Sequence, residues 1–316
     1  MVTQAILLAL VPVFFVLLLG YGAGRLKIVD NHHIEGLNVL VMTFAVPAAL
    51  FVATASAPRA ELLEQSWLFA ILSGVMLIVL AGWYFCARRF LGMSPPDAAL
   101  QGLTVAFPNL AGVGLPISTT LLGATGTVQL AIAIAAGSII ISPLSLIVVE
   151  LNQPGRDGAT ISPTGKIAGA LGRALRKPVV LAPALGIIVS ISGLKLGPVI
   201  DASFALMGQA GAGVALFLTG LVLSSQPFRL DWKIAGATVA SNVVRPLLTA
   251  AIVFVLPVST EVAKVSILLA SVPSGFFGIL FAISYRRDSA AIGSMVIASM
   301  VLSAMTMAIA IAVLFP

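Results

Sequence analysis

Two short runs carry the polar chemistry of this chain: Phe107-Pro108-Asn109-Leu110-Ala111-Gly112-Val113-Gly114-Leu115-Pro116 and Ser271-Val272-Pro273-Ser274-Gly275. Each lies inside an apolar span, about 98–122 and about 262–285, long enough to cross a bilayer. Pro108 and Pro273 lack an N–H and clash with the preceding turn, so each helix breaks at mid-membrane. Behind each break a second half-helix presents its N-terminus, with free N–H groups and about half a positive charge, to the bilayer centre. Such ends hold anions. Asn109 and Ser274 directly follow the prolines, where each either caps its half-helix or hydrogen-bonds a carboxylate; one residue can do both. Gly275 has no side chain and lets a ligand approach the backbone. Irregular chain at that depth is tolerated only inside protein or beside a water-filled cavity. Paired broken helices at the midplane mark a transport site.

Arg245 is the one charge in the middle of a span. An arginine at the membrane centre costs roughly 2.5–3.5 kcal/mol on insertion scales, so it must face protein or water. No acid lies at comparable depth, because Glu35, Glu150 and Glu261 all fall near span ends. Two readings follow. Arg245 completes an anion site with the helix ends, or it binds carbonyls freed by Pro246 or by a broken helix. The missing acids also weigh against sodium or proton coupling, which commonly uses buried carboxylates, although carbonyls alone can bind Na⁺. Export of a monoanion from a negative cytoplasm gains about 2.3 kcal/mol per 100 mV, and uptake of a dianion costs about twice that.

The elements that position these residues follow from composition. Of 316 residues, 59% are hydrophobic and 9% charged, with mean hydropathy +1.13, whereas soluble domains carry about 25% charged residues. The chain reads as an all-α polytopic membrane protein embedded in a lipid bilayer. Ten spans are drawn at about 4–24, 34–55, 67–87, 98–122, 127–151, 179–194, 202–224, 232–256, 262–285 and 289–315. Pro12, Pro47, Pro143, Pro183 and Pro246 are expected to bend their helices. The connection around 152–178, rich in Gly, Pro and basic residues, divides two sets of five: 1–151 and 179–316. Five is odd, so the second set enters from the opposite side, which predicts two inverted five-helix repeats whose fourth and ninth spans are broken and crossed.

Basic residues set the orientation. The odd-numbered connections hold Arg25, Lys27, Arg88, Arg89, Arg156, Lys166, Arg173, Arg176, Lys177, Arg229, Lys233, Arg286 and Arg287, and the even ones only Arg59, Lys195 and Lys264. The odd connections are therefore expected in the cytoplasm and both termini in the periplasm. The same placement accounts for the net charge of +6 without nucleic acid. Cys86 stands alone, and His32-His33 has no third ligand beside it, so neither a disulfide nor a metal site is expected. Gly20-Tyr21-Gly22-Ala23-Gly24 speaks to close helix contact rather than a nucleotide. No P-loop, HExxH or nucleophile elbow appears, so an enzyme, a cofactor or an ATP-driven pump has no support.

With these residues in hand, the chain resembles the auxin efflux carrier family, the plant PIN carriers and their bacterial, malonate-transporter-like relatives. Leu37-Asn38 with Phe44-Ala45-Val46-Pro47-Ala48 resembles the family's second helix, and Pro108-Asn109 with Gly114-Leu115-Pro116-Ile117 its first crossover. Ala215-Leu216-Phe217 with Gly220 resembles its seventh helix, and Arg245-Pro246 is similar to a basic residue and proline in its eighth. Pro273-Ser274-Gly275, then Phe281-Ala282 and Tyr285, resembles its second crossover. The resemblance implies a ten-helix carrier with a scaffold domain (first, second, sixth and seventh spans) and a transport domain that moves like an elevator. It also implies organic-anion substrates bound at the crossover, which maps onto Asn109 and the Pro273 turn. The short central connection departs from the plant members, whose hydrophilic loop is long, and Gly275-Phe276-Phe277-Gly278 looks closer to the malonate-type members.

The expectation is a bacterial inner-membrane secondary transporter of a small organic anion such as malonate. Asn109, Ser274, Gly275 and Arg245 are expected to hold it, and Pro108 and Pro273 to create the breaks. The rival is an efflux carrier for an auxin-like aromatic acid, which needs an apolar slot where a dicarboxylate needs a second cation. A channel-like or sensor protein on the same fold is the alternative from another class. A homodimer is left open.

Overall fold

The computed structural model describes residues 2–57, 59, 65–152, 163–225 and 231–315, and among these every regular element is a helix. In chain order they are α1 (Val2–Arg25), α2 (Glu35–Ala55), α3 (Ser66–Arg89) and α4 (Pro95–Ala106). Helical chain resumes at Leu110 and continues through the Leu115–Ala136 helix, which Gly123 divides with φ 64° and ψ −142°. That left-handed turn is open to glycine at no steric cost, and it separates α5 (110–122) from α6 (124–151). There follow α7 (Pro163–Leu175), α8 (Pro178–Ser192), α9 (Pro198–Ser224) and α10 (Trp232–Val255). The last are α11 (Thr260–Ser271), α12 (Phe277–Ser284) and α13 (Ala290–Leu314).

Six of these stretches are long and apolar enough to cross a membrane: α2, α3, Val128–Leu151 within α6, α9, α10 and α13. The fourth and ninth expected spans are each divided, as their prolines require. At about 1.5 Å rise per residue, the 12 residues of α4 or of α11 reach little more than half-way across the hydrocarbon. The outer ends of the half-helices are fixed locally. Ser94 caps α4 by accepting the Asp97 N–H, Ser259 caps α11 by accepting the Val262 N–H at 3.2 Å, and Asp231 caps α10.

Burial is inverted relative to a soluble protein. Asn38, Gln101, Asn109, Gln129, Asn242 and Arg245 are buried, while Phe254, Leu206 and Val199 stand exposed on helix surfaces, Phe254 at 91%. Apolar surface of that extent has a low-cost neighbour only in lipid. α1 packs along α9, and α2 lies against α8 and α9. α3, α4, α6, α10, α11 and α13 pack mainly on one another, and α12 lies on α4.

Pro12 and Pro183 sit inside continuous α-helix, whereas three other prolines follow wide turns. Val41–Ala45, Gly137–Ile141 and Ala240–Val244 are π turns, each followed by helix whose first turn holds Pro47, Pro143 or Pro246. A wider turn relieves the clash between the ring and the carbonyl four residues back. The connection expected at 152–178 holds a helix, α7, in its described part. Ala174 is fully buried, and α7 packs on α6. Arg156, also expected there, lies outside the described residues.

Candidate functional site

Helix α4 stops at Ala106 because Phe107 is already extended (φ −95°, ψ 108°), as a residue before proline prefers. Helix α11 stops at Ser271 in the same way, one residue before Val272-Pro273. The two extended segments lie side by side as an isolated antiparallel bridge between Pro108 and Ser274. The Asn109 N–H donates to the Pro273 carbonyl at 2.8 Å, and the Gly275 N–H donates to the Phe107 carbonyl at 2.9 Å. Each break thus satisfies backbone groups that the other exposes, which is what makes irregular chain at this depth affordable.

This pairing explains Gly275 differently from the sequence expectation. A Cβ there would stand 2.5 Å from the Phe107 carbonyl oxygen. The close approach that glycine permits here is to the other break.

Asn109 serves two purposes with its two amide atoms. Its Oδ1 accepts from the Gly112 N–H at 3.0 Å, and its main-chain carbonyl accepts from Val113 and Gly114 at 3.0 and 3.1 Å. Its Nδ2 is buried and has no partner. A buried donor left unpaired costs about 1–3 kcal/mol, and Asn109 Nδ2 is one of several such buried polar atoms among the described residues. Ser274 uses its main chain: its N–H donates to Ser299 Oγ at 2.8 Å.

Arg245 is fully buried, and its guanidinium faces carbonyls. Nε donates to Ala270 O at 2.9 Å, Nη1 to Val105 O at 2.7 Å and to Ala106 O at 3.5 Å, and Nη2 to Val272 O. These carbonyls end α4 and α11. Helix C-termini leave carbonyls unpaired and carry about half a negative charge. Of the carbonyls open to Arg245 from the sequence, those ahead of the two breaks are the ones it meets. Of the two readings given for Arg245, the geometry matches the carbonyl one.

The structure therefore brings Pro108, Asn109, Pro273, Ser274 and Gly275 together and sets Arg245 behind them. The space between the breaks is bounded by Leu50, Phe107, Asn109, Ile134, Phe276 and Phe277, and measures about 10 Å³, room for roughly one water. Phe107 and Phe277 stack across it with ring centroids 5.2 Å apart. A larger cavity of about 380 Å³ lies elsewhere, among Phe44, Pro47, Phe51, Leu185, Phe204 and Met207 of α2, α8 and α9. Thr43 and Ser203 supply its hydroxyls and no charged or amide side chain lines it, so it offers an anion no cation.

At their outer ends the two broken helices are joined again. Arg287, just beyond α12, forms an ion pair with Asp97 in the first turn of α4 at 2.6 Å, and also donates to Ser94 Oγ. Burial raises the Asp97 pKa, but the hydrogen bonds from Arg287 and Ser94 and the charge of Arg287 outweigh it, leaving the carboxyl below its usual range. Among the described residues no group of His, Cys, Asp and Glu could hold a metal ion. Sequence reasoning missed Asn242 and Ser299, both buried behind the second break. The available signal was a polar residue four positions before a mid-span proline, Asn242 before Pro246.

The model of a membrane transport protein family matches residues 5–311. The chain belongs to that family, the auxin efflux carriers. It is 30% identical over 281 residues to the Escherichia coli (strain K12) uncharacterized transporter YfdV, covering 86% of each chain. It is 24% identical over 348 residues to auxin efflux carrier component 8 of Arabidopsis thaliana, covering 93% of each. A Rhizobium meliloti (strain 1021) chain named for malonate transport is 24% identical over 242 residues, 75% of this chain and 73% of that one. The protein is thus a membrane transporter by family, with helices to match.

Proposed function

We propose that this family member carries a small organic anion, a carboxylate, across the cytoplasmic membrane by alternating access, with the paired breaks as its site. One observation carries the reading: two helix breaks bonded to each other in the buried centre, with Asn109 Nδ2 unpartnered beside them. Asn109 Nδ2 and the first N–H groups of α12, which have no partner within their helix, are the donors for a carboxylate. Pro108 and Pro273 create the breaks, Gly275 and Ser274 join them, and Arg245 positions them. The ten spans form two inverted repeats. α1, α2, α8 and α9 act as scaffold, and the remaining spans move against them; the separate packing of the two groups supports this division. Positive-inside loops put both termini in the periplasm.

Malonate is the first candidate, and the named Rhizobium relative supports it. A second reading has its own observation. Arg245 is occupied by carbonyls and three phenylalanines bound the space, so once the breaks part to admit a substrate, a singly charged acid with an apolar body, auxin-like in chemistry, suits this lining better than a dianion. On this reading a dicarboxylate binds with one carboxyl protonated.

Counterflow of labelled carboxylic acids in proteoliposomes, with and without a membrane potential, tests both. Saturable exchange that is lost in Asn109→Ala is the expected outcome, and the preferred acid decides between malonate and an aromatic monoacid. Passage without counterflow would instead identify a channel-like protein.

A further inference from the structure

The second break is held by a relay that runs from Ser274 through Ser299 to Asn242. Ser299 lies in the middle of α13 and Asn242 in the π turn of α10, and both are buried to within 1%. The Ser274 N–H donates to Ser299 Oγ at 2.8 Å, and Ser299 Oγ donates in turn to Asn242 Oδ1. Asn242 Nδ2 donates to the Ser299 carbonyl at 2.8 Å, and Ser241 Oγ donates to Asn242 Oδ1 at 2.8 Å.

Ser241 Oγ also lies 3.1 Å from Thr238 O and 3.4 Å from Ser299 Oγ, so its proton has a choice, but between Ser299 and Asn242 the protons have one consistent arrangement. A carbonyl accepts only, so the Asn242 amide must turn Nδ2 to Ser299 O, and Oδ1 is then left facing Ser299 Oγ. The hydroxyl gives its single proton to that oxygen and presents a lone pair to the break. Ser299 is thereby fixed as an acceptor for Ser274, the first N–H after Pro273. Without it that N–H would lie unpaired, or would turn toward the space where the substrate is read to sit. The π turn sets the geometry. Within Ala240–Val244 it holds Asn242 at Ser299, while Arg245, three residues on, reaches the carbonyls ahead of both breaks.

We infer that Asn242, acting through Ser299, is a positioning residue that fixes the N-terminal approach to α12 and so the direction of its free N–H groups. This deepens the proposed function and rests on it for its transport consequence, but not for its structural one.

The test uses the full-length protein and two independent measurements. Hydrogen–deuterium exchange of purified protein reads the relay without any substrate. Ser299→Ala and Asn242→Ala should each speed exchange of peptides covering 273–278 by about tenfold, the loss of one hydrogen bond. Ser299→Thr, which keeps the hydroxyl, should restore the wild-type rate, and the double variant should exchange no faster than either single one. Counterflow of labelled malonate and of labelled indole-3-acetate, whichever the wild type exchanges, supplies the second readout. Ser299→Ala should raise the half-saturation concentration about tenfold at unchanged maximal rate, and Ser299→Thr should not. Wild-type exchange at 273–278 in Ser299→Ala, or additive effects in the double variant, would overturn the relay. A lower maximal rate at unchanged half-saturation would overturn positioning of the site. If the wild type exchanges neither acid while the deuterium result holds, the transport reading fails and the relay stands.

Discussion

The two breaks have the same outline and opposite means of support. The first is closed by its own residues: Asn109 caps Gly112 through Oδ1, and its main-chain carbonyl serves Val113 and Gly114. The second has no side-chain cap on α12, whose N-cap is Phe276, and its Ser274 N–H depends on Ser299 from a helix later in the chain. A break that caps itself keeps its shape when its neighbours shift. One that is capped from outside follows the helices that hold it. Both breaks share the bridge and Arg245, but the helix after the first carries its own cap, whereas the approach to the helix after the second is set by α13.

The largest effect that would break this comparison is expected at Arg245, which serves both sides at once. Arg245→Gln leaves buried carbonyls at the ends of α4 and α11 unpaired and should cost about 3 kcal/mol or more, seen as a fall in folded yield and thermal stability in detergent. A variant that folds normally and loses only anion affinity would return Arg245 to the substrate. Next is Gly275→Ala, whose Cβ would lie 2.5 Å from the Phe107 oxygen and must push the breaks apart. It should abolish counterflow in protein that still inserts, and normal transport would show that the bridge is dispensable. Asn109→Ala should be milder for the fold, costing about 1 kcal/mol as a lost cap, yet severe for transport; Asn109→Ser should recover stability but not uptake. Full activity in Asn109→Ala would remove Nδ2 from the site.

The smallest effect concerns the outer ends, where Asp97 and Arg287 tie α4 to the chain beyond α12. The Asp97 pKa is lowered, so its contribution to stability is present above the ordinary carboxylate pKa and is lost as pH falls through the folded value. Asp97→Asn should therefore melt slightly below wild type at neutral pH, and the two curves should merge under strong acid. The side chains are about one-third exposed, so the difference is small. A difference independent of pH would assign the effect to the cap with Ser94 instead.

What the sequence made legible follows the same division. Proline chemistry is local, so Pro108 and Pro273 announced the breaks, and Asn109 announced a cap that also offers a donor. The π turns were not legible as such, because Pro47, Pro143 and Pro246 indicate that a helix must yield but not how. Arg245 was read with both its partners open, since the carbonyls it meets belong to Val105 and Ala270, far away in the chain. Asn242 and Ser299 were passed over for the same reason: each is an ordinary polar residue until the fold brings it to Ser274.

The single-water space between the breaks has a consequence for the cell as well as for the substrate. A pore of continuous water through this centre would let protons and small ions run down their gradients at rest. With Phe107 and Phe277 stacked at it and room for about one water beside Asn109, this conformation holds no continuous thread of water between the breaks, so any leak of ions through the centre would need the rings to part first.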